Sequence, residues 1–287
     1  MTRIVAPALA AVVLLAALAA VVVWWGPAAG VAGRLEHEAV SDFSRMRVRR
    51  DGDVRLLTFV RDDGAEVVQS RVDLSSPHTL LSPYARGMFV SYLHLPHPRR
   101  ALVVGLGGGA MVRFLTHHEP QLRVDVVEID PVVVRLAAEY FGVRSGGHVR
   151  VLTADAVSFV ASTADRYDMV FMDAFLRPSG DTDATGVPSG LKTAAFLRQL
   201  RQRLSPGGVV AFNVNAHAGM ADDIAAVAEA FGGVAVYRCP PADNRVVLAS
   251  ETGHLAAADG LRTGVSALDR RFGGALSFAT LLANQER

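Results

Sequence analysis

The 287-residue chain has room for one ordinary α/β domain plus attachments, and its formal net charge of +1 lacks the broad basic footprint of a nucleic-acid binder. A single cysteine, Cys239, excludes an internal disulfide and any multi-cysteine metal site. Hydrophobic residues reach 51% of the chain, and the excess is concentrated near its N-terminus.

Ile4 to Trp25 carries no charged side chain. Its length matches the roughly 20 apolar residues that one membrane-crossing helix needs, and Trp24 and Trp25 stand where an interfacial aromatic belt falls. The expectation is a single-pass N-terminal anchor, with its linker, over residues 1–33. The small residues from Gly26 to Gly33 leave a cleaved signal peptide as the alternative, although a signal's apolar region is usually only about 7 to 15 residues long. Arg34, Arg45, Arg47, Arg49 and Arg50 follow on the other side, so the positive-inside rule puts the rest of the chain in the cytoplasm.

Residues 34–98 read as a small β-rich domain. "MRVRR", "VRLLTFV" and "EVVQSRV" are separated by the turn signals "DGD" and "DDGA". The arginines of the first run alternate at strand spacing, which fits a solvated strand face or a contact with anionic lipid. A helix is expected over Ser82 to Leu93, closed by Pro96 and Pro98.

Over residues 99–255 short apolar runs alternate with amphipathic segments. Strands are expected at Ala101 to Gly105, Val124 to Ile129, Val149 to Thr153, Tyr167 to Asp173, Val209 to Val214, Val234 to Arg238 and Arg245 to Ser250. Strands alternating with helices imply a parallel sheet covered on both faces. The last two strands lie too close for a crossover helix and must form an antiparallel hairpin. The fold class is therefore α/β: a seven-stranded Rossmann-like doubly wound sheet with a reversed last strand, the layout of S-adenosylmethionine-dependent transferases. Residues 256–287 are expected to form a C-terminal helical tail.

The first strand of this sheet runs into glycines and then into a helix, "ALVVGLGGGAMVRFL". Gly105, Gly107 and Gly109 let backbone approach a ligand closely, and the helix start offers free N–H donors. Gly105, Gly107 and Ala110 also satisfy the spacing of a dinucleotide site, so the turn alone leaves the cofactor open. Glu128 ends the next strand, where an acid can accept both ribose hydroxyls. Asp155 ends the third strand and either accepts from the exocyclic amine of adenine or caps the helix that begins at Ala156; Ala156 belongs to the same expected pocket. Asp173 ends the fourth strand, facing the reacting part of a ligand or capping a loop.

The motifs "LVVGLGGGAMVRFL", "VDVVEIDPVVVRLAAEYFG", "VRVLTADAVSFV", "YDMVFMDAF" and "LSPGGVVAFNV" resemble those of the spermidine synthase family, the polyamine aminopropyltransferases, over about residues 40 to 255. The resemblance implies a small β-domain beside the catalytic sheet, an S-adenosylmethionine or decarboxylated S-adenosylmethionine co-substrate, an amine acceptor of polyamine type, no metal, and a homodimer. It assigns Gln69 to the neighbourhood of the donor, Glu128 and Asp155 to ribose and adenine, and Asp173 to catalysis with Tyr84 beside it. It also makes Arg177 to Leu191 a lid.

Three departures qualify the reaction. The family's Tyr-His-Glu reads Tyr84-Ala85-Arg86, its first-turn aspartate is Gly108, and its Asp-Ser-Ser-Asp-Pro reads Asp173-Ala174-Phe175-Leu176-Arg177-Pro178. The last two remove carboxylates that hold ammonium groups, and an ammonium buried without a counter-charge costs several kcal/mol or so. Asp181 and Asp183 of the lid stand as candidate replacements. A methyltransferase on the same scaffold and a non-catalytic nucleoside-binding module remain the alternatives. His94 with His97, and His117 with His118, lack the company of a carboxylate or cysteine set and are read as surface or packing histidines.

Overall fold

Charged, alternating strands open the described part of the chain. The structure, a computed structural model, describes residues 31–286. The expected anchor therefore falls, up to residue 30, outside the described residues; among those described, no helix is long and apolar enough to cross a membrane.

A four-stranded antiparallel sheet runs in the order β1 (Arg34–Val40), β2 (Arg45–Asp51), β3 (Val54–Val60) and β4 (Glu66–Asp73). Its first strand, "RLEHEAV", escapes a hydrophobic reading because none of it is buried and its Glu36 and Glu38 pair with arginines of β2 and β3. Strand alternation puts Arg45, Arg47 and Arg49 on one face of β2, where Glu38 of β1 and Glu66 of β4 meet them at 2.6 to 2.7 Å. The arginines are thus paired across the sheet. Met46, Val48, Leu57 and Phe59 fill the opposite face and join the same apolar core as the main sheet.

The helix expected over Ser82 to Leu93 is two short ones, α1 (Pro83–Met88) and α2 (Ser91–His94). Between them the backbone tightens to three-residue hydrogen bonds, Phe89 to Arg86 and Val90 to Gly87. The tightening buries Met88, Phe89, Val90, Ser91 and Tyr92 in succession, which a single α-helical face cannot do.

The main sheet contains β5 (Arg100–Val104), β6 (Arg123–Glu128), β7 (Val149–Thr153), β8 (Tyr167–Met172), β9 (Leu204–Val214), β10 (Ala235–Cys239) and β11 (Ala242–Ser250). Their order is β10-β11-β9-β8-β5-β6-β7, with β11 antiparallel to both neighbours and the other pairs parallel. Around it run α3 (Ala110–His118), α4 (Pro131–Tyr140), α5 (Ala156–Ser162), α6 (Ala194–Gln202) and α7 (Met220–Phe231). Central strands such as "RALVV" and "YDMVFM" are buried on both faces, as parallel strands flanked by helices must be.

Beyond the sheet, α8 (Ala258–Arg271) and α9 (Phe278–Ala283) pack on one side, with Phe272 stacked among Tyr92, Phe114 and Phe278. The chain leaves β5 toward β6 and β7, then returns to place β8 and β9 on the other side. That reversal opens a crevice at the carboxyl ends of β5 and β8, the place where open α/β sheets bind ligands.

Candidate active site

The crevice begins with the turn after β5. Gly105, Gly107 and Gly109 all adopt positive φ, and α3 starts immediately afterwards. The turn is fastened from the neighbouring strand: Glu128, buried at the end of β6, accepts hydrogen bonds from the Leu106 N–H at 2.8 Å and the Asp130 N–H at 3.0 Å. Burial raises the Glu128 pKa, against the pull of these backbone donors. A carboxylate offers about four acceptor positions, so the side chain keeps acceptor capacity for a ligand.

Asp155, after β7, caps α5 by accepting from the Ser158 N–H at 2.8 Å, and it also lines the crevice. The two readings of this residue are compatible. Asp130 is fully buried and joins α4 to the small sheet, capping Val132 N–H at 2.8 Å and accepting from the Ser41 hydroxyl at 2.5 Å. Through that contact the β1–β2 turn forms one wall.

Asp173 follows β8. Its Oδ1 accepts from the Asn213 side-chain amide at 2.8 Å, and the Tyr84 phenol of α1 bears on the same carboxylate. Burial pushes the Asp173 pKa up to about 6, with the two donors opposing it; burial and the neighbouring carboxylate push Tyr84 well above its ordinary value. The nine positions assigned to catalysis or cofactor binding from the sequence (Gln69, Tyr84, Gly105, Gly107, Gly109, Glu128, Asp155, Ala156 and Asp173) line a single cavity of about 500 Å³.

Phe43 and Phe59, which the sequence did not single out, and three residues of the altered fourth-strand motif complete it. Phe43, Phe59, Phe175 and Leu176 give the outer half apolar walls, and Arg177 lies at its edge, paired with Asp62 at 2.6 Å. The segment from Arg177 to Leu191 is folded back on itself, with Leu176 N–H bonded to Gly186 carbonyl and Asp183 N–H to Val187 carbonyl. Of the two acids considered there, Asp181 lines the cavity.

Asp183 faces away from the cavity, accepting from Thr185, Val187 and the Lys192 ammonium. Burial opposes these hydrogen bonds, but they bring its pKa down to about 2. Lys192 also bonds Asp223 at 2.6 Å, and His217 meets Asp223 at 2.9 Å. Asp183, His217 and Asp223 converge closely enough for a cation, and the cation that bridges both carboxylates is the lysine. His94 instead bonds the Tyr237 hydroxyl at 3.0 Å, and His117 stacks on His78.

A seven-stranded sheet whose last strand is reversed and inserted next to the edge, with a glycine turn and carboxylates at successive strand ends, defines the Rossmann-like methyltransferase fold. Residues 88–242 match the spermine/spermidine synthase domain. The polyamine aminopropyltransferase of Vibrio vulnificus is 30% identical over 221 residues, 75% of this chain and 72% of that protein. The human eEF1A lysine and N-terminal methyltransferase is 31% identical over 128 residues, 42% of this chain and 18% of that one.

Among solved structures, a probable spermidine synthase from Corynebacterium glutamicum has a TM-score of 0.65 at 22% identity, covering 86% of this chain and 95% of that chain. Human methyltransferase-like protein 13 in complex with SAH reaches 0.60 at 24% identity, covering 67% and 92%. The two structures share the fold. The chain belongs to the spermine/spermidine synthase family and is a transferase.

Proposed function

We propose that this transferase moves an alkyl group, an aminopropyl group in the leading reading, from an S-adenosyl sulfonium donor to an amine of a small-molecule acceptor. The observation that carries the reading is the convergence, in one cavity, of the strand-end carboxylates Glu128 and Asp155 with a half-buried Asp173 beside Tyr84. The family relationship supports it.

The remaining acceptor capacity of Glu128 suits ribose hydroxyls, and Asp155 suits the adenine amine. Gln69 and the glycine turn border the donor's sulfur end. The reaction needs an amine lone pair aligned behind the carbon attached to sulfur. The C–N bond forms as the C–S bond breaks, and the bonding electrons return to sulfur as a neutral thioether. Alignment supplies most of the acceleration. The proton shed by the amine passes to Asp173, whose pKa of about 6 leaves it ionised yet basic enough to accept near neutral pH.

A second reading, methyl transfer from intact S-adenosylmethionine, rests on Gly108. A Cβ at this position would lie 2.8 Å from the Ser70 hydroxyl and 3.1 Å from the Phe141 ring. The space behind the family's first-turn aspartate is filled here, so a donor's ammonium tail meets no carboxylate from that turn.

Calorimetry with S-adenosylmethionine, its decarboxylated form and methylthioadenosine, followed by turnover with putrescine, separates the readings. Preference for the decarboxylated donor with alkylation of putrescine is the expected result. Preference for the intact donor moves the assignment to methylation. Binding of every adenosyl ligand without transfer to any amine identifies a non-catalytic module.

A further inference from the structure

We propose that Asn213 and Asn244 are positioning residues for Asp173: a chain of side-chain amides crossing three neighbouring strands fixes which face of Asn213 meets the carboxylate. The inference rests on the reading of Asp173 as the proton acceptor.

The geometry is directional. Asn244, on β11, donates from Nδ2 to the Asn213 Oδ1 at 2.8 Å and also to the Asn215 Oδ1. Asn213, buried at the end of β9, donates from its own Nδ2 to Asp173 Oδ1 at 2.8 Å. An asparagine amide presents a donor on one side and an acceptor on the other. Rotating Asn213 by half a turn would aim its oxygen at the Asp173 carboxylate and its NH₂ at the NH₂ of Asn244. Both new contacts repel, so the acceptors on β9 and the carboxylate after β8 together select one orientation.

The antiparallel register makes this reach available. Val246 pairs with Asn213 and Arg245 with Val214, so Asn244 lies at the level of Asn215, at the same sheet edge as Asp173. A parallel final strand would bring different residues to that edge.

The consequence is chemical as well as structural. Asp173 Oδ1 receives a donor held from behind, which fixes the orientation of the carboxylate in the cavity. Tyr84, from α1, is the titratable group bearing on the carboxylate; Glu128, Asp155, Arg177 and Asp181 line the same cavity. A fixed donor to the ionised form lowers its proton affinity, so loss of the chain raises it.

The test uses the full chain and the variant Asn244→Leu, with Asn244→Ala as a second variant of smaller volume. The Asp173 carboxyl is titrated by ¹³C NMR, identified by its absence in Asp173→Asn, and the Asn213 side-chain amide is followed by ¹⁵N NMR. Retained methylthioadenosine binding reports an intact fold. The expected result is an Asp173 midpoint raised by roughly one pH unit, with an Asn213 amide that no longer responds to that titration. An unmoved midpoint in a variant that still binds methylthioadenosine overturns the inference while leaving the role of Asp173 standing. Turnover of decarboxylated donor and putrescine by Asp173→Asn overturns that role instead, and the NMR result is unaffected by it.

Discussion

A Cβ built on Gly105 would lie 2.2 Å from the backbone carbonyl oxygen of Asp173, far inside van der Waals contact. The glycine turn after β5 and the residue after β8 are therefore in backbone contact, at a position where φ is 91°. Each sets the location of the other.

Gly105→Ala is expected to combine backbone strain of about 1 to 3 kcal/mol with a displaced Asp173. Denaturant unfolding will show a lowered midpoint, and turnover will fall more than donor affinity does. A variant with wild-type stability and rate contradicts the contact.

Asp173 makes stability depend on pH in an unusual direction. Its native pKa of about 6 exceeds the ordinary 3.8, so the folded state holds the proton more tightly than the unfolded one. Stability from this group is present below about pH 4 and is lost as pH rises through 6, on the order of 3 kcal/mol in all. Asp173→Asn removes that slope and makes the protein more stable at neutral pH, while abolishing transfer. Urea midpoints measured from pH 4 to 7.5 check both the sign and the window.

Glu66 acts in the opposite sense. Hydrogen bonds from Arg49, then Arg47 and Thr58, overcome its burial and hold its pKa at about 2, below the ordinary 4.5. Its contribution is complete above pH 4.5 and disappears as pH falls through 2. Glu66→Gln is expected to cost about 1 to 2 kcal/mol at neutral pH and much less near pH 2, which thermal unfolding at the two pH values measures.

Glu128→Ala removes the acceptor that fastens Leu106 N–H and lines the cavity, the proposed ribose contact. Affinity for every adenosyl compound should fall by roughly 1 to 3 kcal/mol. Calorimetry with methylthioadenosine checks it, and undiminished binding contradicts the ribose assignment.

Glycine spacing and strand-end acids were enough to read the cavity's inner half from the sequence. Gly107, Glu128 and Asp155 each follow a short apolar run, and chain order alone brings such positions to one sheet edge. The reversed β11 was legible because too few residues separate it from β10 to hold a helix. Asn213 and Asn244 were illegible as a pair: they lie on different strands, and their pairing depends on a register that no local pattern encodes. β1 was missed because glutamate and arginine disguise a strand when their charges are satisfied across the sheet. The break at Phe89 and Val90 was missed because it arises from burial on every side. Asp181 and Asp183 stand two positions apart in one loop, yet the fold sends one toward the cavity and the other toward Lys192.

The antiparallel strand that carries Asn244 is also late in the order of synthesis. The crevice residues from Gln69 to Ala156 leave the ribosome before Asp173, and Asn244 emerges some way behind both. The turn at Gly105 is thus made well before the Asp173 carbonyl it packs against, so its final geometry waits for β8.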